Sequence, residues 1–443
     1  MGLSLTRSNQ HYKQAVRRLP LGVSSNYRYW GEDRTLYLSH AEGARLWDID
    51  GNEYVDYRLG YGPAILGYAH PEVDAAACEA TKIGGCTALS TESELEVAER
   101  IARMVPSAEL VRFANSGAEA VTAALRVARA HTGRDAYILV DGGFHGLFDA
   151  VLWKTEVRKA GGRSERRVVP DCEGVPELLS QLVHQVPLND VEHLEQVFRR
   201  HGSELAAFLI EPIQGNCCGI PATSEYLEAA RKLCDRYGVV MIVDEVKTGF
   251  RVARGGAQEL MGVRGDLSTF AKSMGNGYPI SALAGREEIM RAIDTQRVPQ
   301  GGTYAGHPVS LAAAAKTLEI LDETDALERV ESYGRQLREA LGGILSERGV
   351  PHVFVGHPSM GGLVFAEDAP RNASEWARSD YALYNDLAAR INALGILCEP
   401  DSWEPWFISA AHDDACLAET AEKFELALDA ALAARPSLAS TSR

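Results

Sequence analysis

Through the middle of the chain, short apolar runs alternate with longer stretches of helical period. That alternation is the pattern of parallel βαβ units. Residues 137–140, 206–210, 239–243 and 267–270 predict strands, and residues 118–130, 224–237 and 311–321 predict helices. The first 60 residues read differently. Between residues 44 and 57, Asp48, Asp50, Gly51 and Asn52 separate two apolar runs, which predicts an antiparallel hairpin with an Asp-Gly turn, outside the central sheet. Beyond Asp322 the pattern predicts a long charged amphipathic helix, strands around Val353 and Leu363, a helix over 380–394 and a last helix over 414–434. The expected division is an N-terminal segment (1–60) joining a small domain, a large domain (61–320), the C-terminal small domain (321–435) and a Ser-rich, disordered tail (436–443).

Composition narrows the function classes. Lys and Arg number 45 against 61 Asp and Glu, a net charge of −16, and no stretch sets basic residues among aromatics as a nucleic-acid groove would. No apolar run approaches the roughly 18–20 residues of a membrane span. Residues 1–20 lack the apolar centre of a secretory signal, although Gly2 and Thr6 formally fit a myristoylation pattern. The eight cysteines include no CxxC pair and form no disulfide framework, which predicts a reducing cytoplasm. The twelve histidines include no HExxH, so a catalytic zinc site has little support.

Four segments carry candidate chemistry. The run from Val239 to Val243 ends in Asp244 and Glu245, and in a parallel sheet ligands bind at the carboxyl ends of strands. A strand-end Asp capping a turn is the bland alternative. The next strand ends in Lys272, followed by a Gly-rich turn. Desolvation there would lower the lysine's pKa and free an amine nucleophile; a snorkelling lysine is the alternative. At Asn115-Ser116-Gly117-Ala118 a strand turns into an Ala-rich helix, with Ser116 as N-cap and the amides of Gly117 and Ala118 free for a phosphate, though capping alone explains the segment equally well. Gly142-Gly143-Phe144-His145-Gly146 puts an aromatic ring at the same edge, for stacking on a planar cofactor or for the core. An acid, a lysine, a phosphate cup and an aromatic platform are what pyridoxal 5'-phosphate requires.

With these segments in this order, the chain resembles the class III aminotransferases of the fold-type-I pyridoxal phosphate enzymes, most of all their glutamate-1-semialdehyde 2,1-aminomutase branch. The likeness runs from about Gly22 to His412. It implies an α/β fold with a mostly parallel seven-stranded sheet flanked by helices, plus a smaller α+β domain. Lys272 matches the Schiff-base lysine and Asp244 the partner of the pyridine nitrogen. Val246 would press on the ring face opposite Phe144, beside His145. Ser116, Gly117 and Ala118 match the phosphate turn, with Ala118 where Thr is commoner. Thr303 matches the threonine that reaches the cofactor of the neighbouring subunit, which implies a homodimer. Glu211 matches an acid near the cofactor. Arg28 aligns with the branch's substrate-carboxylate anchor, although most surface arginines bind nothing.

Two departures bear on substrate. Lys247 stands where many members carry Gln or Met, and Glu404 replaces the switchable arginine of the glutamate and 4-aminobutyrate transaminases. Trp403 and Trp406 would line an apolar acceptor pocket or sit in the core. The leading expectation is transfer from a small amino donor to a carbonyl acceptor through Lys272 and the pyridoxamine form of the cofactor. Intramolecular amino transfer of the aminomutase kind is the rival. A decarboxylase or epimerase is a third reading, because fold does not fix function. A catalytically idle binding protein would have no use for the intact set Lys272, Asp244 and Thr303.

Overall fold

The computed structural model describes residues 3–160 and 163–435; Gly2 of the acylation pattern and the 436–443 tail lie outside them. At the centre is a seven-stranded sheet in the order Leu110–Ala114, Ser281–Gly285, Leu267–Phe270, Val240–Asp244, Leu205–Ile210, Ala136–Val140, Val183–Val186. Ser281–Gly285 alone runs against the direction of the other six strands.

The inner strands read as continuous apolar runs because both faces are covered. Ile138, Phe208, Ile210, Met241 and Val243 pack against Leu227, Ala230 and Cys234 of helix Ser224–Tyr237. Their alternating neighbours Leu139, Ala207, Leu209, Val240 and Ile242 pack against Val121, Ala124 and Ala128 of helix Gly117–Thr132. The period of two therefore turns Asp244 to the same side as that second helix.

The predicted strands and helices agree with the structure to within a few residues at their ends, and the 44–57 hairpin is present as Arg45–Asp48 and Glu53–Asp56. Its turn is closed by the Asp48 carboxylate, which accepts from the Asn52 amide (2.9 Å) and from the Tyr54 hydroxyl (2.8 Å). Strand Glu53–Asp56 also pairs with Ile396–Leu397, so the two ends of the chain share one small sheet. Helices Ala326–Glu347, Tyr381–Asn392 and Asp414–Ala434 and the three-stranded sheet Val353–His357, Met360–Val364, Trp406–Phe407 make up the rest of the C-terminal part.

Arg251 ties these parts together. It is 1% exposed, faces no carboxylate, and donates to the carbonyls of Ile408 (2.8 Å), Ser359 (3.2 Å) and Gly62. Burial pulls its pKa down to about 9. Loss of the guanidinium leaves buried carbonyls without a donor, so Arg251→Met is expected to cost about 2 kcal/mol or more. Thermal unfolding checks this: the variant's midpoint falls by several degrees, and an unchanged midpoint would mean that the carbonyls find other donors.

Candidate active site

Asp244, 2% exposed, ends its strand in register with Thr269 of the next one. One carboxylate oxygen accepts from the Thr269 hydroxyl (3.1 Å) and the Val246 amide (3.0 Å); the other meets His145 Nδ1 at 2.7 Å. Burial opposes a charge on His145, but its hydrogen bond with Asp244 prevails and its pKa is raised.

Lys272 follows strand Leu267–Phe270 with a backbone φ of 46°, a left-handed conformation that an L side chain adopts only at a cost. Its amine makes no hydrogen bond among the described residues. Burial, with Lys247 pushing the same way, lowers its pKa to about 7, while Glu404, Glu211 and Asp244 pull it back up. At neutral pH a large part of the amine is uncharged.

Helix Gly117–Thr132 points its N-terminus at the same edge. Ser116 caps it by accepting from the Glu119 amide (3.3 Å), leaving the amides of Gly117 and Ala118 without partners among the described residues. Gly117 cannot be larger, because a Cβ there would stand 2.9 Å from a methyl of Val246. The loop carrying Phe144 is held by Glu211, whose carboxylate accepts from the amides of Phe144 (2.8 Å) and Gly215 (3.0 Å). Burial raises the pKa of Glu211, and the charge of His145 opposes the rise.

The Phe144 loop borders a cleft of about 610 Å³ lined also by Tyr27, Tyr61, Asn216, Trp403 and Glu404, among others; Asp244, Lys272, Ser116, Gly117 and Ala118 are not among its lining residues. Trp403 lies tilted against Trp376, ring centroids 3.9 Å apart; Trp406 is core, its Nε1 donating to the Tyr384 hydroxyl at 2.8 Å. Glu404 pairs with Lys247 at 2.7 Å. Arg28 lies exposed on the short turn Asn26–Arg28, without a partner among the described residues and away from the cleft lining. Thr303 is exposed beside a separate cavity of about 280 Å³, where its carbonyl faces Cys86 Sγ at 2.7 Å. A larger cavity of about 760 Å³ near Trp30 holds none of the predicted site residues.

Sequence reasoning passed over Thr269 and the pair Arg58–Glu399 (2.7 Å), whose guanidinium lies over Trp30 and Tyr61. Thr269 had a signal, being a hydroxyl at the end of a buried strand. Arg58 had none, because its partner is distant in sequence.

Residues 28–424 match the family model of Aminotransferase class-III. The chain belongs to the class III aminotransferases. It is 40% identical to a glutamate-1-semialdehyde 2,1-aminomutase of Methanothrix thermoacetophila, over 96% of this chain and 97% of the relative. Among solved structures, an omega-transaminase from Sphaerobacter thermophilus superposes with a TM-score of 0.92 at 29% identity, covering 97% of this chain and 100% of the other. A transaminase with pyridoxal phosphate bound superposes at 0.87 with 31% identity, covering 97% and 99%. The class III enzyme is thus of fold type I, and its cofactor is pyridoxal phosphate.

The residues fit that group: two amides at a helix N-terminus, unpaired among the described residues, could take its phosphate, a buried carboxyl group its ring nitrogen and a partly neutral lysine its aldehyde. In cofactor-free protein, Lys272 is expected to be acylated with a rate that rises through a midpoint near pH 7, because the amine is unprotonated above its pKa. Mass spectrometry of peptides labelled across a pH series measures it; a midpoint near the ordinary lysine value would contradict the site's electrostatics.

Proposed function

We propose that this class III enzyme moves an amino group within one small amino-aldehyde acid, as a glutamate-1-semialdehyde-type aminomutase. The likeness to such an aminomutase over nearly the whole of both chains carries this reading, and displaces intermolecular transfer, the leading expectation from sequence. The cleft agrees with it. A transaminase that takes a dicarboxylate donor through an arginine clamp needs a mobile arginine, and Glu404, tied to Lys247, stands in that place.

Pyridoxal phosphate, when bound, supplies the electron sink. Asp244, oriented by Thr269, Val246 and His145, would pair with the ring nitrogen; Gly117 and Ala118 would hold the phosphate; Val246 and Phe144 would flank the ring. Lys272 Nζ takes the proton from the substrate carbon and returns it to the neighbouring position. Supplied with one amino-aldehyde acid and no keto acid, the holoenzyme is expected to sustain turnover, followed by chromatography of the product. Arrest after one equivalent per site would establish the second reading, intermolecular transfer, which the 0.92 superposition on an omega-transaminase favours.

Thr303 in this reading serves the partner's cofactor in a homodimer. Subunits carrying Lys272→Ala and Thr303→Ala, each weak alone, are then expected to recover up to about half of the parent activity per hybrid dimer when mixed, since one site has both defects and the other neither. Absence of recovery despite exchange, followed with differently tagged subunits, would place Thr303 in its own chain's site.

A further inference from the structure

Lys247 has no part in the chemistry above, yet the fold is cut to bring it to the cleft. Gly215 makes way for it: a Cβ at 215 would stand 2.0 Å from Lys247 Cδ. Its ammonium, on a side chain only 4% exposed, meets Asn216 Oδ1 at 2.6 Å and both carboxylate oxygens of Glu404 at 2.7 and 3.0 Å. Asn216 and Glu404 line the cleft, so the cation stands directly behind its wall. Glu404 belongs to the irregular connection between Ile396–Leu397 and Trp406–Phe407, and its carboxylate has no other donor among the described residues. It is a carboxylate on an irregular segment, occupying a buried cation beside the cleft.

We propose that Lys247 is the anchor for the substrate's carboxylate, and that Glu404 fills its place in the free enzyme and yields it when an acid substrate enters. The inference rests on the reading that the substrate is a small acid. The exchange replaces one buried ion pair with another, so the desolvated ammonium is never left uncompensated. A neutral analogue cannot make the exchange, and selectivity for the acid follows. The charge of Lys247, which also helps to keep Lys272 unprotonated, thereby stays balanced in both states.

The test is equilibrium binding to the holoenzyme by calorimetry, with pentanoate and its neutral isostere pentanamide as probes. The parent enzyme is expected to prefer pentanoate on the order of tenfold. The double variant Lys247→Met/Glu404→Gln, which leaves no unpaired charge behind, should lose that preference, while Lys247→Arg keeps it. Glu404→Gln alone should tighten pentanoate binding, because the internal competitor is gone. Preference surviving in the double variant, weaker pentanoate binding in Glu404→Gln, or a preference erased only by Arg28→Ala would each overturn the proposal. No turnover is involved, so the aminomutase reading stands or falls separately in its own assay.

Discussion

A carboxyl group buried at the end of a central strand needs hydrogen-bond partners, and much of this site is arranged by that requirement. Asp244 draws a hydroxyl from the neighbouring strand, an amide from the residue two ahead and an imidazole from the loop after strand Ala136–Val140. Each donor fixes something else. Thr269 sets the strand that delivers Lys272; Val246, with its amide engaged, lays its methyls against Gly117 at the helix N-terminus; His145 fixes the loop whose Phe144 amide is bound by Glu211. These features are therefore not independent but branches from one carboxylate.

The charges around the cleft are matched pair by pair. Glu399 meets Arg58, Glu404 meets Lys247, Asp141 meets Arg166 and Asp171 meets Lys154. Among the described residues Asp401 is held by backbone amides, and burial raises its pKa. Burial likewise lifts Glu399 to about 7 despite its arginine. At Lys272, burial outweighs the charges of Lys247, Glu404, Glu211 and Asp244.

Strand Val240–Asp244 was legible because it is apolar on both faces and ends abruptly in a charge, and Leu267–Phe270 because Lys272 and a Gly-rich turn follow it. Strand Ser281–Gly285 was not, because Ser-Ala-Leu-Ala-Gly has no β-branched residue; it is a strand only because it fits between Leu110–Ala114 and Leu267–Phe270. The 153–170 hairpin was also missed, its strands Trp153–Ala160 and Arg163–Pro170 being largely charged. Among site residues, position along a strand revealed the acid and the lysine. The contact of Lys247 with Glu404 was out of reach, since a pairing between residues so far apart leaves no periodicity. Lys247 was visible only as a departure from a family habit.

The pairing of Val55 with Ile396 has a bearing on how the molecule is made. On the ribosome, the hairpin formed by Arg45–Asp48 and Glu53–Asp56 emerges early, whereas the strand that covers its open edge emerges only after most of the chain has been translated. Until then Val55, wholly buried in the finished protein, lies along an unpaired edge. The α/β sheet assembles in that interval from contacts far more local, so the nascent enzyme carries a nearly complete catalytic floor before its first strands are covered. Synthesis thus exposes an adhesive edge for the longest time at the end of the chain that is made first.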